Sequence, residues 1–347
     1  MAEKRNDYSI VHINYAISPQ AHTPMYLMHK YWARKPHNVV GEYIEHYSKK
    51  GEIILDPFVG SGVTAIEALK RGRKAIAIDL NPIATFITKV TLKPIELREI
   101  KKTFEAIKKA ISDEVNQLYF TKCPQCGNTK ALTIATVWER ENTSKPKEIR
   151  LYCPQCKKRK RKEPSEEDIA FLKVIEEKEV PFWYPKDKLC YENGAEFEEG
   201  THIGLDNISD LFTKRNLIAL SIVYNKIQSL EEGDIKDIFR FAFTKQVHIA
   251  SRMTPVCAPS ERGHWSLDSS TSFWAVHRYW IPPEYMESNV WMLFESAIKG
   301  KQGILKGKKE SNKEIRHYKE AKSFDDFSKD ANILILTQST LELGNNP

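Results

Sequence analysis

Asp56-Pro57-Phe58-Val59-Gly60-Ser61-Gly62 is the stretch that decides the fold. Ile53-Ile54-Leu55 before it reads as a short buried strand. Val63 to Arg71 after it reads as a helix, with Ile66 and Leu69 on one face and Gly72 as a stop. A glycine-bearing turn therefore joins a strand to a helix N-terminus. That geometry admits a ligand close to the backbone and aims free N–H groups and the positive end of the helix dipole at it. A second strand, Lys74-Ala75-Ile76-Ala77-Ile78, ends in Asp79. A carboxylate there can accept hydrogen bonds from two ribose hydroxyls, as in nucleotide-binding doubly wound α/β folds.

Upstream, residues 1–28 read as an arm with little periodicity. His29-Lys30-Tyr31-Trp32-Ala33-Arg34-Lys35-Pro36-His37-Asn38 is dense in aromatic and basic residues and leads into a helix over Val39 to Tyr47. Its place just before the glycine turn makes Lys35 or His37 a candidate cation or donor for a ligand held there. Downstream, Asn81-Pro82 closes the second strand and opens a new helix, proline being favoured at the first helical position. Residues 96–118 continue as a charged amphipathic helix.

The 347 residues suffice for two or three domains, and a net charge of +7 permits a polyanionic partner without requiring one. No stretch is long and apolar enough for a membrane span, and the first residues lack the apolar core of a signal peptide, so a cytoplasmic location is expected. Four of six cysteines form two matched pairs, Cys123-Pro124-Gln125-Cys126 and Cys153-Pro154-Gln155-Cys156, 26 residues apart; Cys190 and Cys257 stand alone. Four thiolates can close a tetrahedral structural zinc site, and CxxC brings two sulfurs of one tight turn to a single ion. Ala131 to Trp138 and Glu148 to Tyr152 alternate like the strands of a ribbon. The run Lys157-Lys158-Arg159-Lys160-Arg161-Lys162 is either a solvated linker face or a phosphate contact.

Helices are expected over 164–180, 211–230, 234–250 and 289–299. Pro181-Phe182-Trp183-Tyr184-Pro185 would either stack on bases or cap a core. Residues 251–280 form a loop region carrying Arg252, Arg262, His264, His277 and Arg278, and loops of this kind often carry recognition. Ile281 to Tyr285 reads as a turn, residues 300–330 as a lysine-rich linker or exposed helix, and Asn332 to Thr337 as a buried strand.

Together, His29 to Pro36, Asp56 to Gly62 and Arg73 to Pro82 resemble the amino DNA methyltransferases, which methylate adenine N6 or cytosine N4 with S-adenosyl-L-methionine. The resemblance covers roughly residues 29–90. It implies a Rossmann-like methyltransferase sheet of class α/β, with a zinc ribbon and a mainly helical insert. Asp56, Pro57, Phe58, Gly60, Ser61 and Gly62 would cradle the methionine part of the cofactor, with Lys35 and Pro36 against it. Asp79 would bind the ribose, and Asn81 and Pro82 would shape the rim near the adenine. Residues 1–90 would be the cofactor-binding part, 91–165 the ribbon with its basic run, 166–330 a target-recognition insert, and 331–347 the third sheet strand. The partner would be DNA, and no membrane is implied.

One departure matters. The catalytic tetrapeptide of such enzymes, (Asp/Asn/Ser)-Pro-Pro-(Tyr/Phe/Trp), is absent from the sequence; Ile281-Pro282-Pro283-Glu284 has apolar and acidic residues where the polar and aromatic ones must be. The resemblance places that motif beyond Pro347, on a fourth strand that would pair with Ile53-Ile54-Leu55. A truncated enzyme, or one half of a split enzyme completed by a partner chain, is therefore expected. The alternatives are a zinc-ribbon nucleic-acid-binding protein without catalysis and a methyltransferase acting on RNA or a small molecule. A dehydrogenase is disfavoured, because Gly60-Ser61-Gly62 lacks the third glycine of the dinucleotide fingerprint.

Overall fold

A computed structural model describes residues 11–189, 205–256 and 281–339. Cys190, Cys257, Arg262, His264, His277 and Arg278 lie outside the described residues. In chain order come α1 (Pro24–Leu27), α2 (His37–Tyr47), β1 (Ile53–Asp56), α3 (Val63–Lys70), β2 (Lys74–Asp79), α4 (Pro82–Leu92) and α5 (Leu97–Gln117). There follow β3 (Phe120–Thr121), β4 (Ala131–Glu139), β5 (Glu148–Cys153), β6 (Lys158–Lys162) and α6 (Glu166–Glu176). The last are α7 (Lys214–Gln228), α8 (Asp234–Val247), β7 (Glu284–Ser288), α9 (Val290–Lys299), α10 (Ile304–Glu314), β8 (Glu320–Ala321), α11 (Phe324–Lys329) and β9 (Ile333–Thr337). The chain divides into two compact units, residues 1–97 with 301–347 and residues 98–300.

The first unit is a parallel sheet of order β1-β2-β9-β8 with helices packed on it. The inner strands β2 and β9 bury Ala75, Ala77, Ile78, Ile333 and Leu334, as continuous apolar runs in parallel sheets do. Ile66 of α3 and Ala84 and Ile87 of α4 add to the buried core. The strand expected over 332–337 is thus β9, lying parallel to β2. β1 is a strand as expected but not a buried one. It pairs only with β2 among the described residues, and Ile53 and Leu55 are 54% and 55% exposed.

Two further expectations fail in this unit. The end of the N-terminal arm is core, because α1 and its flank bury Met25, Tyr26 and Met28. Residues 300–330 are not a linker. α10 buries Ile304, Gly307, Lys308 and Ser311, and a Cβ on Gly307 would lie 2.0 Å from Cγ of Met28, so only glycine admits this contact. Lys308 donates from Nζ to the carbonyls of Val90, Thr91 (3.2 Å) and Lys93 (2.7 Å), which satisfies orphan acceptors at the end of α4.

The second unit holds an antiparallel sheet of order β3-β4-β5-β6. β7 pairs with β4 through Ala135 to Glu139, further along the strand than β3. The turn expected over 281–285 therefore gives way to a strand at Glu284, immediately after two prolines that cannot donate to a ladder. α5 buries Ile100, Phe104, Ile107, Ile111 and Val115 at helical spacing. In the proline-flanked segment Trp183 is 65% exposed, its ring 5.2 Å from that of Tyr224, so it does not cap a core.

A buried ion pair ties β7 to α7. Arg215 donates to Glu287 from Nε (2.9 Å) and Nη2 (2.6 Å), and Thr213 and Trp138 also donate to that carboxylate. Burial alone would raise the Glu287 pKa, but the Arg215 charge and these donors outweigh it and hold the carboxyl below its usual range. A depressed folded-state pKa adds stability that is present above the unfolded value near ~4.3 and lost as pH falls through the folded value. Arg215→Met, which strands the carboxylate, is expected to cost about 3–5 kcal/mol in urea denaturation at pH 7. The difference from the parent should shrink at pH 3.

Candidate functional site

The glycine turn follows from backbone chemistry. Gly60 and Gly62 have φ of +52° and +83°, the left-handed region that excludes most side chains. Gly62 is the N-cap of α3. A Cβ on Gly60 would lie 2.9 Å from the Tyr31 ring, and one on Gly62 would lie 2.7 Å from Oγ1 of Thr88. Both glycines are thus required twice, by conformation and by close approach.

Asp79 braces the turn. Its Oδ2 accepts from the Gly60 N–H (2.8 Å) and its Oδ1 from the Asn81 N–H (2.9 Å), while the Val59 N–H donates to the Ile78 carbonyl (2.8 Å). A carboxylate has about four acceptor positions, so both oxygens retain capacity for a ligand. Asn81 caps α4 through Ile83 N–H at 3.1 Å with Pro82 at the first position, as its sequence position indicated. Asp56 accepts from the Phe58 N–H (3.1 Å), and the Phe58 ring is 76% exposed at the end of β1. Asp79→Ala removes the acceptor of two backbone donors and is expected to lower stability by about 1–3 kcal/mol. Thermal denaturation checks this, and Asp79→Asn, which keeps one acceptor oxygen, should lose less.

Lys35 is exposed and Pro36 half-buried at the N-cap of α2. The cation that reaches the turn is Arg34, the neighbour the sequence did not single out. It donates from Nε to Ser61 Oγ (3.0 Å) and is anchored on the carbonyls of Tyr26 and His29. Burial lowers its pKa to about 10, which leaves it charged at neutral pH. His37 is buried and stacks on Tyr26 at 4.9 Å. Tyr31 lies over Gly60, and its phenol is raised first by burial and then by the Asp79 charge. Tyr31 and Thr88 were missed; the one signal for Tyr31 was its place in the aromatic stretch before the turn.

In the second unit the four cysteines of the two pairs converge. The sulfurs of Cys123, Cys126, Cys153 and Cys156 all lie within 4.8 Å of one another, with Cys123–Cys156 at 3.9 Å and Cys126–Cys153 at 3.6 Å. A tetrahedral zinc with Zn–S of ~2.3 Å requires sulfurs about 3.8 Å apart, so the set fits such an ion. Two hairpin-like turns deliver them, the first closed by Gly127 at φ +72° and the second at the end of β5. Burial raises the Cys123 thiol, but the Cys126 and Gln125 N–H groups outweigh it and bring it to about 6. Cys156 is pushed up to about 12 by its hydrogen bond with Cys126 and by burial. Binding a metal requires all four to be deprotonated.

Residues 4–89 match the family model of N6/N4 DNA methylases. A type II methyltransferase of Methanocaldococcus jannaschii, M.MjaII, is 31% identical over 75 residues, 22% of this chain and 14% of that protein. M.BsoBI of Geobacillus stearothermophilus, also a type II methyltransferase, is 34% identical over 92 residues, 24% of this chain and 18% of its own length. M2.DpnII of Streptococcus pneumoniae, another, is 44% identical over 50 residues, 14% of this chain and 19% of that protein. The matches thus span less than a fifth of each of these relatives. No solved structure matches the chain.

Proposed function

We propose, from the match of residues 4–89 to the N6/N4 DNA methylase family model, that the chain acts in S-adenosyl-L-methionine-dependent methylation of adenine N6 or cytosine N4 in DNA. The observation that carries this is the glycine turn between β1 and α3, braced by the Asp79 carboxylate. The donor set fits the cofactor: a left-handed glycine turn at Gly60 and Gly62 leading into the N-terminus of α3, spare acceptor positions on Asp79, and an exposed ring at Phe58. When bound, the cofactor supplies an electrophilic methyl group on a sulfonium.

The residues of this chain would bind and orient it. Asp56 to Gly62 cradle its methionine end, with Lys35 and Pro36 beside them, Asp79 takes the ribose hydroxyls, and Asn81 shapes the adenine rim. Arg34 holds Ser61 and so stiffens the turn. Positioning of this kind is the main contribution a protein makes to a direct methyl transfer. The sheet is read as Rossmann-like and the four-cysteine module as a structural zinc ribbon within 91–165, followed by a recognition insert over 166–330. Since the chain has no (Asp/Asn/Ser)-Pro-Pro-(Tyr/Phe/Trp), the groups that hold the target amine would come from further strands beside β1, supplied by a partner chain or an additional segment. The edge of β1 that has no strand partner among the described residues, with its exposed Ile53 and Leu55, supports that. No helix among the described residues is long and apolar enough to cross a membrane.

The four converging sulfurs favour one second reading, a nucleic-acid-binding protein without catalysis. Transfer of tritiated methyl to unmethylated DNA separates the two. Transfer is expected when the chain is co-expressed with a fragment bearing the missing tetrapeptide, and not by the chain alone. Cofactor binding without transfer in either case would favour the second reading.

A further inference from the structure

The positive charge of this protein is concentrated in one place. Residues 143–162 hold nine lysines and arginines against the single carboxylate of Glu148, a local net charge of +8. The whole chain carries +7, so the other 327 residues sum to −1. Much of this charge lies on β6 (Lys158–Lys162), which starts two residues after Cys156 and pairs only with β5 among the described residues. Its lysine-rich run was open between a linker and a phosphate contact; it is an edge strand.

The ion pairs along this segment are unevenly distributed. Lys162 is paired with Asp168 (2.6 Å), Arg161 and Arg150 with Glu148 (3.5 and 2.6 Å), and Lys147 with Glu284. At the cysteine end, Lys157 and Lys158 are exposed and make no ion pair among the described residues. Lys160 there donates to the neutral amide oxygen of Gln125, in the first cysteine turn. Alternation along a strand puts Lys158 and Lys160 on one face and Arg159 on the other, so the open edge carries a cation at every step. A strand advances ~3.3 Å per residue, close to the ~3.4 Å of helix axis per phosphate along one DNA strand.

We propose that Lys157 and the cysteine-proximal end of β6, Lys158 to Lys160, form a sequence-independent clamp on the phosphate backbone of duplex DNA. The partner is named by chemistry: an extended, uniformly spaced polyanion whose groups need charge and carry no base identity. The proposal rests on the reading that the protein acts on DNA and assigns the surface that grips it. The two cysteine turns hold the strand in place, since one of them leads directly into it and the other is bonded to Lys160.

The test uses the full chain, zinc-loaded, and fluorescence anisotropy with an unmethylated 24-base-pair duplex over a salt series. The variant Lys157→Gln/Lys158→Gln/Arg159→Gln/Lys160→Gln is expected to bind at least ~10-fold more weakly at physiological salt. The slope of log K against log salt should fall by about 0.9 for each cation removed. The control Lys101→Gln/Lys102→Gln/Lys109→Gln removes exposed charge from α5 and should leave the slope within about one of the parent. Zinc content should be the same in all three proteins. A β6 variant that binds like the parent, a control that loses as much, a variant that loses zinc, or a parent that prefers duplex RNA would each overturn the clamp. Failure of the parent to bind duplex DNA at all would instead overturn the DNA reading beneath it.

Discussion

Gly62→Val is expected to abolish binding of S-adenosyl-L-methionine. Valine at φ +83° is strained, and its Cβ would meet Thr88 at 2.7 Å from Oγ1 and 2.9 Å from Cγ2. Backbone strain and steric overlap together amount to about 2–5 kcal/mol. Relief requires moving either the first turn of α3 or the Thr88 side chain of α4, which itself donates to the Gly60 carbonyl at 3.3 Å. Either movement displaces the N–H groups that a ligand would meet. A loss of affinity of at least ~100-fold, about 2.7 kcal/mol, is the expected outcome in calorimetry. Since this variant also loses stability, Phe58→Ala serves as its companion. That ring is 76% exposed, so its removal leaves the fold intact, and affinity should still fall about tenfold.

Cys153→Ser is expected to release the metal and melt the hairpins around it. Cys153 is fully buried, its sulfur lies 3.6 Å from that of Cys126, and it packs with Cys123, Ala131, Ile149 and Leu151. With zinc bound as proposed, a cluster of this size would hold together mainly through the ion: structural zinc contributes about 10–16 kcal/mol of apparent binding energy in small modules. Atomic absorption should fall from one zinc per chain to near zero, and protease should cut within residues 120–162. Cofactor binding by the first unit should persist. Full zinc content in the variant would refute the metal assignment.

What the sequence revealed follows from how each element is stabilised. β2 and β9 were legible because parallel inner strands bury both faces and read as unbroken apolar runs. The N-terminus of α4 was legible from Asn81-Pro82, and the thiolate set from the repeated spacing of its pairs. α10 was not, because its buried face includes Gly307, Lys308 and Ser311, which pack by close approach and by bonds to carbonyls and leave no apolar stripe. β6 was hidden for a related reason: lysine and arginine have little strand preference, and pairing with β5 decides the matter. At the glycine turn the sequence located the loop and Asp79, but it singled out Lys35 where Arg34 is the side chain that touches Ser61. Adjacent residues in an irregular stretch diverge in direction, and no periodicity reports which one faces the turn.

Isothermal titration of the full chain with S-adenosyl-L-methionine, and in parallel with NAD, tests the central claim most directly. One site per chain for S-adenosyl-L-methionine, lost in Gly62→Val, with no heat from NAD, is the predicted result. Absence of S-adenosyl-L-methionine binding by the folded chain, or binding of equal strength in Gly62→Val, would contradict it.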